Sequence, residues 1–167
     1  MMAVGTDRPG IVAAISEALL EHGLNIEDSQ MTILRGHFAM ILIVAGPEQA
    51  GLEERLRDAA RSVGLDSIHV SEVPDLPAAH AEPSHVVTVY GADHPGIVHA
   101  VARMLAERDV NITDLETRLL SEGLYVMLLE VALPEAAAVA AVEQALRAVG
   151  DEQGVEVTVR PLESDAL

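Results

Sequence analysis

The hydrophobic pattern in the second half of the chain changes period several times. A short run rich in β-branched residues predicts a buried strand, and apolar residues then recur at the spacing of one helical face. After a stretch that alternates strictly between apolar and polar, a turn and an apolar run predict a hairpin, and an alanine-rich helix and a last alternating strand follow. The predicted elements are a strand at 85–90, a helix from Asp93 to about Arg108, strands at 114–119 and 124–133, a helix at 134–149 and a strand at 155–159.

The first half repeats this order. Its opening strand, Met1–Val4, is short, which indicates either that the true start of the chain lies upstream or that this edge is abbreviated. The remaining predicted elements are a helix at Pro9–His22, strands at Asn25–Leu34 and His37–Ala45, a helix at Gln49–Val63 and a strand at Asp66–Val73.

The order βαββαβ, present twice, predicts an α+β protein made of two ferredoxin-like domains in tandem. Each should have a four-stranded antiparallel sheet with two helices on one face. Three prolines without apolar periodicity separate the copies. We therefore expect domains at 1–74 and 85–167, joined by a linker at 75–84.

A sequence repeat supports the two copies. Residues 5–12 (Gly-Thr-Asp-Arg-Pro-Gly-Ile-Val) return at 91–98 as Gly-Ala-Asp-His-Pro-Gly-Ile-Val. The register continues through Asn25 and Asn111, and a one-residue insertion then aligns Phe38 with Tyr125. Shared Gly, Asp, Pro and Asn at constant spacing indicate duplication of one unit.

A strand, then Gly-x-Asp-x-Pro-Gly-Ile, an amphipathic helix and Asn-Ile at the next strand resembles the ACT domain, a regulatory amino-acid-binding module. Two such domains in tandem are similar to the glycine cleavage system transcriptional repressor group. The resemblance implies that an amino acid binds at the first strand–helix loop and the start of the second strand, at a site that can combine two domains or two chains. Carried onto this chain, the ligand-binding residues are Asp7, Pro9, Gly10, Ile11 and Asn25 in the first copy and Asp93, Pro95, Gly96, Ile97 and Asn111 in the second.

The chemistry of these residue types fits that role. The N-terminus of a helix offers free N–H groups and a favourable dipole to a carboxylate, a glycine lets a ligand approach the backbone, and an acidic side chain can accept the ammonium. Each residue also has a plainer interpretation. Asp7 and Asp93 could cap helices, Gly10 and Gly96 could permit tight helix–sheet packing, and Asn25 and Asn111 could end helices in a left-handed conformation.

The segment Phe38–Ala45 is apolar on both faces, whereas its counterpart contains Glu130. A half-covered sheet should alternate, so we expect the exposed face of the first domain to be covered by the second domain or by another subunit. The first domain is thus the expected assembly surface of a homo-oligomer, and the second the better candidate for an intact ligand site.

Composition excludes several functions. A net charge of −17 opposes direct binding to nucleic acid, and the absence of cysteine excludes disulfides and thiolate chemistry. Neither a secretory signal nor a membrane-spanning run is present, so we expect a cytoplasmic protein with no membrane partner. The seven histidines lack metal-ligand spacing, and no nucleophile or phosphate-loop pattern occurs, so we expect no metal, no cofactor and no enzyme activity.

These observations favour an amino-acid sensor that modulates a protein partner such as a transcription regulator. Glycine and serine are the first candidate ligands. Two alternatives stay open: a ligand-free dimerisation scaffold, and a detached regulatory subunit of an amino-acid biosynthetic enzyme.

Overall fold

The structure, a computed structural model, describes residues 1–47, 51–74, 82–120, 123–134 and 139–162. The chain separates into two compact units, Met1–Asp75 (unit 1) and Leu76–Leu167 (unit 2). Most of the predicted linker lies outside the described residues. Unit 1 contains β1 (Met2–Thr6), α1 (Ile11–Glu21), β2 (Asn25–Leu34), β3 (His37–Ala45), α2 (Leu52–Ser62) and β4 (Leu65–His69). Unit 2 contains β5 (His85–Ala92), α3 (Ile97–Ala106), β6 (Asn111–Leu119), β7 (Leu124–Ala132), α4 (Val139–Gln153) and β8 (Val155–Pro161).

The predicted fold class is confirmed in both units. Each has a four-stranded antiparallel sheet, with strand order β2-β3-β1-β4 in unit 1 and β6-β7-β5-β8 in unit 2. The two helices of each unit pack on one face of its sheet, and alternate residues of the central strands lie beneath them. Apart from Phe38, the buried core side chains are aliphatic or methionine, with Leu42 and Phe38 at the centre of unit 1 and Leu129 and Met127 at the centre of unit 2.

Strand register reproduces the repeat in detail. Gly5 lies opposite Phe38, and Gly91 lies opposite Tyr125, which is the alignment that the one-residue insertion predicts. Both second strands carry a β-bulge at the same place, at Glu27 in unit 1 and Thr113 in unit 2. The two units therefore share pairing irregularities as well as topology.

The ends of several elements differ from the prediction. The helices predicted to begin at Pro9 and Asp93 begin at Ile11 and Ile97, because the glycine before each is left-handed and cannot join the helix. The remaining helices are Leu52–Ser62 and Val139–Gln153, although 48–50 and 135–138 lie outside the described residues. The opening strand extends to Thr6 and is a central strand of its sheet; with five residues it is shorter than its counterpart β5, which has eight.

No helix in the described ranges combines the length and the apolar character needed to cross a bilayer.

Candidate functional site

The loop between β5 and α3 lines an open depression of about 490 Å³ on unit 2. Its walls come from one continuous segment and one residue of β7, namely Asp93, His94, Pro95, Gly96, Ile97, Val98, His99 and Tyr125. Four of the five residues predicted to bind ligand in the second copy therefore lie together. The depression also places one carboxylate, two imidazoles and one phenol around the start of a helix.

Local backbone conformation explains how the loop is built. Gly96 precedes α3 with φ 109°, and Gly10 precedes α1 with φ 96°, both in the left-handed region that side-chain-bearing residues rarely adopt. An added Cβ would meet nothing within 4 Å at Gly10, and at Gly96 only Gln153 Oε1 at 3.6 Å. Tight helix–sheet packing is thus not why glycine occurs here. The turn requires glycine, and the space over it is open to a ligand.

The capping interpretation of Asp7 and Asp93 is wrong. Gly10 and Gly96 occupy the N-cap positions of α1 and α3, and neither helix has a side-chain cap. Pro9 and Pro95 accordingly precede the helices and do not lie in their first turns. The main-chain N–H of Asp93 donates a hydrogen bond to the carbonyl oxygen of Gly123, at the turn between β6 and β7. The carboxylate of Asp93 makes no capping hydrogen bond to α3. The N–H groups of the first helical turn have no side-chain acceptor, so they suit an external carboxylate.

Asn25 and Asn111 do not end helices either. The left-handed residues after α1 and α3 are Gly23, with φ 65°, and Asp109, with φ 54°. The two asparagines begin β2 and β6 and are exposed. The left-handed interpretation of the asparagines is therefore wrong.

Asn111 also lies far from the loop of its own unit. It pairs with Ala132 at one end of β7, whereas Leu124, at the other end, pairs with Ala92 next to the loop. The nine residues of β7 span roughly 27 Å at about 3.3 Å per residue. Register puts Asn25 and Asp7 at opposite ends of the sheet of unit 1 in the same way, through Ala45 and His37. Neither unit alone brings its aspartate and its asparagine into one site.

Sequence reasoning missed Tyr125 as a site residue. It occupies the position of Phe38, which is fully buried in unit 1, but it is only half-buried and lines the depression. Burial raises the pKa of the Tyr125 phenol, the Asp93 carboxylate raises it further, and a hydrogen bond with Thr117 opposes them. The hydroxyl therefore stays protonated beside Asp93. The phenylalanine-to-tyrosine difference between the aligned copies was the available signal.

His94 lies between two backbone carbonyls. Its Nδ1 is 3.1 Å from the carbonyl oxygen of Pro95, and its Nε2 is 2.7 Å from that of Gln153, the last residue of α4. A neutral imidazole has one N–H and the imidazolium has two, so both carbonyls receive a donor only when the ring is protonated. These carbonyls, that of Pro95 first, raise the pKa of His94; burial lowers it by less than they raise it, and the Asp93 carboxylate adds the smallest rise.

Arg8 occupies the corresponding position in unit 1. An added Cβ on Gly64 would lie 1.9 Å from Arg8 Nη2, so the guanidinium covers the turn that precedes β4. The two loops thus carry different basic side chains at the same position, a guanidinium in unit 1 and an imidazole in unit 2.

We expect the stability of unit 2 to depend on pH through His94. Because its pKa in the folded chain is raised, protonation stabilises the fold fully below the unfolded value of about 6.5, and the contribution is lost as pH rises through the folded-state pKa. Thermal unfolding across this range, compared between wild type and His94→Arg, isolates the effect. The variant copies Arg8 and should lose less stability at high pH. An NMR titration in which His94 shows an ordinary midpoint would contradict the expectation.

Among the described residues, no group of three or more His, Asp or Glu side chains could hold a metal ion.

Comparison with known proteins identifies the family. The ACT domain family matches residues 1–70 and 85–160, so the chain belongs to the ACT domain family and carries the domain twice. The glycine cleavage system transcriptional repressor of Escherichia coli is 29% identical over 117 residues, which cover 70% of this chain and 62% of the repressor. The chain thus spans less than two thirds of the repressor's length.

The chain is also similar to one further protein in sequence and to one solved structure. A UPF0237 protein of Methanopyrus kandleri is 46% identical over 69 residues, which cover 39% of this chain and 77% of that protein. The crystal structure of a protein of unknown function from Galdieria sulphuraria has a TM-score of 0.72 and 33% identity, and the match covers 97% of this chain and 96% of that one. Together the ACT family and the repressor relative support a regulatory role.

Proposed function

We propose that this chain is a cytoplasmic amino-acid sensor that acts on a transcription regulator through protein–protein contacts. The observation that carries the proposal is the depression on unit 2, where an acidic side chain lies beside an uncapped helix N-terminus. An α-amino acid presents a carboxylate and an ammonium on one carbon, and the depression offers a partner to each.

Each group of the ligand has a partner in this arrangement. The main-chain N–H groups that follow Gly96 receive the carboxylate, and Asp93 receives the ammonium. Tyr125 adds a hydroxyl within the same walls. Glycine is the candidate to test first, because the E. coli relative is named a glycine cleavage system transcriptional repressor, and serine is the second candidate.

Asn25 and Asn111 could contact a ligand in such a loop only from a second ACT domain. Asp93 and Asn111 lie at opposite ends of one sheet, as do Asp7 and Asn25, so a ligand held by both residue types takes one from each domain of a pair. Ligand would then stabilise one arrangement of paired domains, and a partner that prefers this arrangement would respond to the amino acid.

The charge of the chain bears on how it reaches transcription. At −17, it is repelled by phosphate backbones, so the proposed effect on DNA passes through a partner that binds DNA itself. The E. coli relative is named a transcriptional repressor, which supports this direction.

We expect a thermal-shift screen of the twenty amino acids to show that one or a few raise the unfolding midpoint. Ligand at 100-fold above its dissociation constant stabilises the folded state by about 2.7 kcal/mol, which is readily measured as a shift in midpoint. Calorimetry then gives the affinity and the number of sites per chain. If none of the twenty shifts the midpoint, a ligand-free dimerisation scaffold explains the chain better.

A further inference from the structure

The face of the unit 1 sheet that its helices leave uncovered is apolar and nearly free of charge. Register places two complete rows of side chains across this open face, Gln30–Ile41–Met2–His69 and Thr32–Ala39–Val4–Ser67. Ile41 is 56% exposed, Met2 46%, Val4 45% and, one row further, Ile43 38%. Large aliphatic side chains therefore form a continuous exposed patch over the centre of the sheet.

The same face of unit 2 is different. Its rows carry six charged residues, namely Asp114, Glu116, Arg118, Glu130, Glu156 and Arg160. Three of these charged groups have partners on the face itself, because Arg118 pairs with Glu116 and the Tyr90 hydroxyl donates to Glu156. This is how a sheet face exposed to water is expected to look.

At four of the five positions that can be compared, unit 1 has a neutral side chain where unit 2 has a charged one. The counterparts of the first five are, in order, Asp28, Gln30, Thr32, Ile43 and Ser67. Only Asp28, on the edge strand β2, is charged in both units. Since both faces belong to copies of one fold, the fold itself does not require the difference.

From this difference we propose that the open face of unit 1 is the surface through which two copies of this chain dimerise. Each copy carries a net charge of −17, so two copies repel one another over most of their surfaces. A basic partner would be drawn to the acidic surfaces elsewhere on the chain. A second copy, in contrast, can approach where neither partner has to bury an ionised group, and this patch meets that condition.

The size of the face suits a reversible dimer. On this face β2 and β3 each carry four side chains from Asp28 and Ile43 onward, β1 carries three and β4 two; at spacings of about 4.8 by 6.6 Å they cover roughly 400 Å² per copy. Two copies packed about a twofold axis would bury about 800 Å², which is typical of weak, transient contacts. The dimer should therefore dissociate on dilution.

Light scattering and sedimentation of the full chain over a broad concentration range test the proposal. We expect the mass to rise from monomer to dimer, and Ile41→Glu to weaken the dimer at least about tenfold, because it buries a carboxylate against its symmetric copy. Ile43→Glu should act similarly, and Glu130 shows that the fold accepts glutamate at the equivalent position. The matched control is Leu128→Glu, which makes the Ile41 change on unit 2 and should leave the dimer intact.

Cross-linking identifies the face without depending on affinity. The chain has no cysteine, so Ile41→Cys and Leu128→Cys each introduce a single thiol. A short bis-maleimide should join two copies of Ile41→Cys and few of Leu128→Cys, with circular dichroism confirming that both are folded. A monomer at every concentration, a dimer indifferent to Ile41→Glu, or stronger cross-linking through residue 128 would overturn the proposal. None of these measurements depends on whether an amino acid binds.

Discussion

Replacing Leu129 by alanine should destabilise unit 2 by about 2–5 kcal/mol, a large fraction of the 5–15 kcal/mol typical of a folded domain. Leu129 is 1% exposed on the middle of β7, opposite the buried Val87 and beneath both helices. The loss combines the transfer energy of the missing methyl and methylene groups with the cavity they leave. Urea unfolding monitored by circular dichroism measures it.

The repeat supplies the controls for this measurement. Leu42 is the equivalent residue of unit 1 and is fully buried in a separate core, so Leu42→Ala should cost a similar amount but destabilise unit 1. Leu128 precedes Leu129 on the exposed face of the same strand, so Leu128→Ala should change stability by less than about 1 kcal/mol. Equal losses from Leu128→Ala and Leu129→Ala would show that the register of β7 is wrong.

The repeat made most of the fold predictable. The alignment of the two halves showed that both have the same order of elements. The spacing of apolar residues, two for strands and three to four for helices, predicted the type of each element. The alignment of Phe38 with Tyr125 agrees with the strand pairing, because Phe38 lies opposite Gly5 and Tyr125 lies opposite Gly91.

Helix starts could not be predicted from the same pattern. An aspartate followed by a proline is a common beginning of a helix, and the next residue, glycine, gave no warning. The decisive quantity was the positive φ of Gly10 and Gly96, which ends the loop one residue before each helix. Sequence shows that a glycine is present but not which of its permitted conformations the turn selects.

The site was predictable only in part. Motif spacing placed Asp93, Gly96 and Ile97 together, because they lie within one loop. The separation of Asp93 from Asn111 depends on which ends of antiparallel strands meet, and Tyr125 reaches the loop from another strand. Contacts made across a sheet require the three-dimensional structure, even where each residue was visible in the alignment.

We expect Asp93→Asn to weaken binding of the amino acid found in the screen by about 10- to 100-fold. The substitution keeps size and hydrogen-bonding capacity but removes the charge that balances the ammonium, and a hydrogen bond to a charged group contributes about 1.5–3 kcal/mol. Tyr125→Phe, which recreates the residue that unit 1 carries as Phe38, should weaken binding less, by about two- to tenfold. Isothermal titration calorimetry at constant pH measures both.

Asp7→Asn is the matched control, because it makes the same change in the loop of unit 1, where no tyrosine lies at the equivalent position. If unit 2 is the stronger site, Asp7→Asn should leave the tighter binding step in place.

The stability of each variant without ligand separates an effect on binding from an effect on folding. Since Asp93 caps no helix, Asp93→Asn should unfold close to wild type, whereas loss of a helix cap typically costs about 1 kcal/mol. Unchanged affinity together with a loss of that size would mean that Asp93 supports the fold and not the ligand.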